Sequence, residues 1–423
     1  MKKISNLINN PLFTGSMVMI IGSNLVNFLN YLYHLIIGRM LGPSDYGELA
    51  AIISLIGLLG IIPAPLGTSI IKYISSAKNN TESANMISWL KIKYFQGSFI
   101  FFVIVLVISP VISSFLKIHN ISYFILIAVS FLFSLQSGLN RSILQGLLRF
   151  KEMVITVLAE NSTKLILSIG FVYLGFKVGG AIFALVVAAL LGWYVTKQYL
   201  RYSKTRKPNF TPDIKSMLMF TIPVFIQNFA TTSLYSSDVI LVKHFFSSHD
   251  AGIYAALSTL GKIIFFAAGP IGAVMFPLVS KRSAKGENYK RVFKFSFVAT
   301  VFLSGAILSV YLLFPSLAIQ LLYGSLFLEA SSLLLWFGIF ITFFTLASLI
   351  INYTLSLGRT RVVIFPAIAA VFQIVLIWFF HDSLFSIILI SILVNALLLV
   401  ALLIYSIYSN NGHKANFSHS AGI

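Results

Sequence analysis

Five ionisable side chains stand inside stretches that are otherwise apolar: Arg141, Glu160, Lys164, Asp238 and Lys262. A charge turned toward hydrocarbon costs about 3 kcal/mol on insertion scales, so each must face protein, water or a bound ion. Polar neighbours accompany them at helical spacing. Ser134, Ser137, Gly138, Arg141 and Gln145 form one row, and Thr156, Glu160, Lys164 and Ser168 form another, each confined to one face of a helix. Two more rows, Asn24, Asn27, Tyr31, His34 and Asn228, Thr231, Tyr235, Asp238, bring the polar-striped helices to four. Three bases against two acids suit the capture of an anion, because a guanidinium offers phosphate a planar fork and an ammonium adds a point charge. The substrate-binding set read this way is Arg141, Lys164, Lys262, Asn24, Asn27, Tyr31, Asn228, Tyr235 and Gln145. Asp238, Glu160 and His34 are the groups able to carry a coupling proton or hold Na+. A packing role stands beside this reading: Glu160 with Lys164 one turn away, and Asp238 with Lys262, would then only fix helices together.

Such rows need long helices to carry them. With 58% hydrophobic and 10% charged residues in 423 and a mean hydropathy of +0.93, the chain holds more apolar surface than a water-soluble fold can hide, and its solvent is lipid. Apolar runs near the roughly 20 residues needed to span fall at 13–37, 46–73, 95–116, 123–148, 153–174, 180–199, 217–246, 252–280, 295–314, 331–357, 362–380 and 384–408. The expectation is an all-α polytopic membrane protein of about twelve transmembrane helices.

The twelve divide into two copies of six. Asp45, Gly47, Ala50, Ala51, Pro65, Gly67 and Ser75 recur 205 positions later as Asp250, Gly252, Ala255, Ala256, Pro270, Gly272 and Ser280. Upstream the offset is 204, pairing Asn24 with Asn228, Tyr31 with Tyr235, Ile36 with Ile240 and Arg39 with Lys243, so one residue is inserted in the intervening turn. Repeated membrane halves with a site near mid-bilayer are a transporter arrangement. The expected organisation is a six-helix lobe at 1–200, a basic cytoplasmic linker at 201–216 with Pro208 and Pro212, a second six-helix lobe at 217–410, and a cytoplasmic tail at 411–423. Pro63, Pro65, Gly67, Gly269, Pro270, Gly272 and Pro277, inside the second and eighth runs, mark kinks or bending points.

The net charge of +19 is one-sided. If the amino terminus is cytoplasmic, 23 of the 30 Lys and Arg fall in cytoplasmic segments, and only Arg39, Lys117, Lys177 and Lys243 fall on the other side. That is the positive-inside pattern, with both termini cytoplasmic, and no nucleic acid is needed to explain the charge. The opening Met1, Lys2, Lys3 resembles a signal peptide but has no small-residue cleavage site before the run is long enough to span, which predicts a retained first helix, with a short interfacial helix before it. The chain has no cysteine, no phosphate-binding Gly-x-x-x-x-Gly-Lys-Ser/Thr loop and no Asp-x-Asp pair. Neither an ATP motor, an enzyme, a cofactor nor a metal is expected.

Gly38 to Gly47 (Gly-Arg-Met-Leu-Gly-Pro-Ser-Asp-Tyr-Gly), Leu144 to Phe150 (Leu-Gln-Gly-Leu-Leu-Arg-Phe), Gly261-Lys262 and Phe276-Pro277-Leu278-Val279-Ser280 together resemble the polysaccharide flippases of the Wzx type, in the multidrug/oligosaccharidyl-lipid/polysaccharide exporter superfamily. The resemblance covers nearly the whole chain. It implies two six-helix lobes forming a V and export of a polyprenyl-diphosphate-linked oligosaccharide, an O-antigen or other surface-polysaccharide repeat unit, across the bacterial inner membrane by alternating access. It also implies a cationic cavity, which Arg141, Lys164 and Lys262 fit, and a glycan polymerase or ligase as downstream partner. The fourteen helices of lipid II flippases are not matched by twelve. Two rival readings are a drug or small-metabolite exporter of the same superfamily, which favours an acid-rich cavity, and a non-transporting membrane scaffold for glycan assembly, which tolerates apolar replacement of every embedded charge.

Overall fold

The computed structural model describes residues 11–75, 77, 79–200 and 214–420. Among them are thirteen α-helices, two short 3₁₀ segments and no strand. The chain divides into two compact units, Met1–Phe225 and Ile226–Ile423.

In the first unit, α1 (Pro11–Gly60) has 50 residues, about 75 Å at 1.5 Å per residue and far more than a bilayer core of about 30 Å can take in one pass. It bends at Gly42, whose φ of 72° and ψ of 174° are non-helical, with Pro43 opening the second limb. A second interruption follows at Ile61–Pro63, where Ile61 and Ile62 donate to the carbonyls three residues back, at 3.2 and 3.3 Å, and Pro63 has no N–H to continue the ladder. Next come α2 (Ala64–Ser75), α3 (Asn80–Phe115), α4 (Ser122–Gly146), α5 (Phe150–Tyr173) and α6 (Lys177–Tyr199). The predicted second span is therefore the outer limb of α1 plus α2. Asn79 caps α3 by accepting from the Glu82 N–H at 2.8 Å. An apolar core of Ile70, Ile74, Ile87, Leu139, Ile143 and Leu144 joins α2, α3 and α4.

The helix α7 (Ile214–Phe245) begins with the first unit, since Thr221 shares a 2.8 Å hydrogen bond with Ser69 of α2, and ends in the second. Then follow α8 (Ser248–Ala284), α9 (Lys290–Leu313), α10 (Pro315–Leu322), α11 (Ser331–Ser356), α12 (Ile364–Phe379) and α13 (Leu384–Ser420). α11 is the core of this unit, with Phe337, Phe340, Ile341 and Phe344 all buried. Gly261 of α8 lies where a Cβ would stand 2.5 Å from the Phe337 ring, so only glycine lets the two helices come this close. α8 runs unbroken through Pro270 and Pro277, whereas its repeat partner in the first unit is interrupted at Ile61–Pro63.

Ten helical segments among the described residues are long and apolar enough to cross a membrane. Twelve spans arise because α1 bends into two limbs and because α7 also runs 32 residues. Large apolar side chains point outward along the spans, among them Val107, Phe295, Phe302 and Phe379, an exposure that only hydrocarbon solvates. The chain is a multi-pass membrane protein. The interfacial helix expected before α1, most of the basic linker at 201–216 and the end of the tail lie outside the described residues.

Candidate functional site

In the first unit the embedded charges gather where α4, α5 and α6 meet. Arg141 of α4 donates through Nη2 to Glu160 Oε2 of α5 at 2.5 Å and to the Thr156 carbonyl at 3.2 Å, and through Nε to Thr156 Oγ1 at 3.2 Å. The two side chains keep 17% and 21% of their surface. Gly192 of α6 backs the pair: a Cβ there would lie 2.2 Å from Glu160 Oε2 and 3.2 Å from Arg141 Nη2. On the same helices Asn140 donates to Thr196 at 3.1 Å, fully within the protein.

The packing partner read for Glu160 from its own helix, Lys164, is corrected by this geometry. The carboxylate turns across to Arg141 because a guanidinium fork on the neighbouring helix meets it with better geometry than an ammonium one turn away. Lys164 instead donates to Asn30 Oδ1 of α1 and lies 4.7 Å above the Tyr33 ring. Neither Asn30 nor Tyr33 was in the set read from the sequence. Asn30 was within reach of such a reading: at 100° per residue it sits about 60° round the helix from Asn27, on the edge of the same stripe. Asn24 is exposed and donates to its own helix at Ile20 O, 2.8 Å, and Asn27 is exposed. Tyr31 carries a buried hydroxyl with no hydrogen-bond partner among the described residues. Gln145 is half-buried at the end of α4, and His34 Nδ1 lies 3.0 Å from the Tyr46 hydroxyl.

The second unit repeats the theme with different residues. Lys262 of α8 lies 5.1 Å above the Tyr235 ring of α7, and that ring packs against Phe344 and Phe265. Asp238 is fully buried, accepting from the Tyr254 hydroxyl and from the Val239 N–H, both at 2.9 Å. The expected direct Asp238 to Lys262 ion pair is absent among the described residues. The two interact electrostatically, but tyrosines intervene, one donating to the acid and one carrying the base on its ring. Behind them Gln373 donates to the Leu234 carbonyl at 3.1 Å and Asn395 to Gln373 at 3.3 Å, tying α7 to α12 and α13. Asn228 is half-buried, and its neighbour Gln227, also absent from the sequence reading, holds a buried Oε1 with no partner among the described residues.

Each unit thus holds one lysine on a tyrosine ring of its repeat-opening helix, with no carboxylate within ion-pair distance among the described residues. A ring face stabilises the cation while leaving ammonium N–H groups free to donate, which suits a site that binds and releases an anion. Arg141 is a different device, since its charge is met by Glu160.

The family described as polysaccharide biosynthesis protein matches residues 12–283. The uncharacterized membrane protein MJ1375 of Methanocaldococcus jannaschii is 24% identical over 297 residues, covering 66% of this chain and 70% of that one. Among solved structures, the lipid II flippase MurJ in an inward closed conformation aligns with a TM-score of 0.74 at 15% identity, over 92% of this chain and 87% of that one. An inward-facing multidrug resistance MATE family transporter of the MOP superfamily aligns with a TM-score of 0.72 at 14% identity, over 88% and 94%. At such identities the likeness shows the fold alone, which this chain shares with both.

Proposed function

The chain belongs to the polysaccharide biosynthesis protein family, and from that premise we propose that it is a flippase carrying a polyprenyl-diphosphate-linked oligosaccharide from the cytoplasmic to the outer leaflet by alternating access. The observation that carries the reading is the pair of ring-seated lysines, Lys164 and Lys262, each without a contacting carboxylate. An anionic diphosphate is the ligand that a lysine of this kind suits in either unit. Asn30 and Tyr31 in the first unit, and Gln227 and Asn228 in the second, offer amide and hydroxyl groups to a sugar. The lipid tail stays in the bilayer, so only the polar headgroup needs a path through protein.

Arg141 and Glu160 supply a means of coupling. An arriving phosphate competes with the Glu160 carboxylate for the guanidinium, so occupation of Arg141 and the charge state of Glu160 are linked. Asp238 and His34, each hydrogen-bonded to a tyrosine, are the other groups placed for ion exchange. Membrane potential also favours outward export: one elementary charge through 100 mV is worth about 2.3 kcal/mol, and a dianion roughly twice that. The basic segments mark the cytoplasmic side, with both termini there.

The test is genetic and then chemical. In a strain deleted for this gene, lipid-linked oligosaccharide trapped on the cytoplasmic leaflet, restored to the outer leaflet by the wild-type chain but not by Lys164→Gln/Lys262→Gln, is expected. Unchanged sidedness in a strain without a second copy overturns the flippase and leaves the small-molecule exporter. Full complementation by apolar replacements of all five embedded charges leaves the scaffold.

A further inference from the structure

Each repeat carries, apart from the embedded charges, an apolar groove between its second and third helices with basic residues at the mouth. In the second unit the groove holds about 640 Å³ between α8 and α9, walled by Ile271, Val274, Leu278 and Phe295, with Arg282 and Arg291 lining it at the hairpin end. In the first unit a groove of about 310 Å³ lies between α2 and α3, walled by Leu66, Ile70, Tyr94 and Phe101, with Trp89 and Lys93 lining it. The two are repeat partners by register: Leu66 and Ile70 become Ile271 and Met275 at the offset of 205, and all four line their groove. No carboxylate pairs with Arg282, Arg291 or Lys93 among the described residues; Arg282 makes only a long 3.5 Å bond to the Asn288 carbonyl, and Lys93 one of 3.4 Å to Gln96.

A narrow apolar slot ending in unpaired cations matches one kind of molecule: a hydrocarbon chain bearing a phosphate. Two guanidinium forks nine residues apart, one on each side of the hairpin turn, suit the several oxygens of a single phosphate better than scattered point charges do. The basic hairpins are also the segments that charge asymmetry assigns to the cytoplasmic face, where anionic lipids concentrate. A slot for the transported lipid would be needed once, whereas this feature is built twice.

We propose that the α8–α9 groove, and in weaker form the α2–α3 groove, is a binding site for an anionic phospholipid of the cytoplasmic leaflet, with one acyl chain along the groove and the phosphodiester on Arg282 and Arg291. The proposal is independent of the flippase reading. Each arginine near the surface contributes roughly five-fold to anionic-lipid affinity, so removing both should weaken binding roughly 30-fold.

The full-length protein in detergent is titrated with phosphatidylglycerol, phosphatidylcholine or inorganic phosphate, and bound molecules are counted by native mass spectrometry. Retained phosphatidylglycerol, little phosphatidylcholine, no competition from millimolar phosphate, and loss of the tighter site in R282Q/R291Q are expected. Ala299→Trp, which blocks the groove and keeps the arginines, should lose the same site. Equal retention of both lipids, unchanged binding by R282Q/R291Q, or displacement by free phosphate each overturns the proposal. Should the double variant fail to fold, Phe295→Trp in the otherwise native chain provides a second reading: its added fluorescence is quenched by brominated phosphatidylglycerol more than by brominated phosphatidylcholine, and equal quenching overturns the assignment.

Discussion

Gly192 governs the Arg141–Glu160 pair although it carries no charge. A methyl group there would lie 2.2 Å from Glu160 Oε2, and the flexible carboxylate is what would yield. Gly192→Ala should therefore act through the pair, costing about 1–3 kcal/mol, less than the 3–5 kcal/mol of a fully buried pair because both side chains stay about a fifth exposed. In a Glu160→Ala background the same substitution should cost almost nothing. Thermal unfolding of the two single variants and the double variant in detergent measures this coupling, and additive losses would show that Gly192 serves packing alone. At Tyr235 the ring rather than the hydroxyl holds Lys262. Tyr235→Phe should flip substrate like the wild type, while Tyr235→Leu should lose about 0.5–2 kcal/mol of cation stabilisation and slow flipping several-fold in proteoliposomes. Equal activity of the two would remove the ring from the site. The sequence showed that these charges exist and lie on helix faces, but not which neighbours they meet. Local spacing favoured Lys164 for Glu160, and a residue 19 positions away took it, because tertiary packing chooses among partners that a single helix cannot display. Asn30 was missed by drawing the polar stripe one residue too narrow.

At the scale of elements, the inserted residue inferred from the change of offset has a visible counterpart. In the second unit the turn is a true break, with α7 ending at Phe245 and Ser247 capping α8 by accepting from the Asp250 N–H at 3.1 Å. In the first unit, one residue shorter, Gly42 absorbs the turn inside α1 at a positive φ of 72°. An alanine there meets the steric cost of a backbone region open essentially to glycine alone, about 1–3 kcal/mol, so Gly42→Ala should lower the unfolding midpoint in detergent; an unchanged midpoint would mean that the bend relaxes without cost. Pairs of Pro and Gly in both repeats were readable as interruptions, but not that only one helix breaks. Pro65 and Pro270 are repeat partners, yet the break occurs at Ile61–Pro63, where the second repeat has alanine at the position matching Pro63. Pro63→Ala restores the missing donor and should leave stability equal or higher. If the interruption serves movement, flipping by that variant should fall in proteoliposomes while its unfolding midpoint does not, and unaltered flipping would make the break a packing detail.

Over the whole molecule, the repeat was legible because matched residues survive at fixed offsets, and the tyrosine tethers show where the two copies differ. His34 and Asp238 occupy matching positions, differ in chemistry, and each meets a tyrosine hydroxyl on the following helical segment, at 3.0 and 2.9 Å. The tyrosines themselves are not repeat partners, Tyr46 matching Ala251 and Tyr254 matching Leu49, so both tether and charge have diverged, one unit presenting an imidazole where the other presents a carboxylate. The divergence bears on energy coupling, because a carrier that exports a dianion unaided and one that exchanges it for protons through Glu160 or Asp238 differ in charge moved per cycle. With reconstituted protein and a potassium-diffusion potential of about 100 mV, negative on the side of substrate entry, unaided export of two charges should shift the leaflet distribution of lipid-linked oligosaccharide outward by about three orders of magnitude, from roughly 4.6 kcal/mol. Exchange for two inward-moving protons adds two charges in the same sense; the distribution would then follow the pH difference as well as the potential, and Glu160→Gln should abolish the response to pH. The chain has no native cysteine, so single cysteines placed at Lys177 and Lys285 and labelled with an impermeant maleimide fix the orientation of each vesicle population. Outward accumulation that tracks potential, ignores the pH difference and survives Glu160→Gln would establish unaided export and confine the Arg141–Glu160 pair to binding.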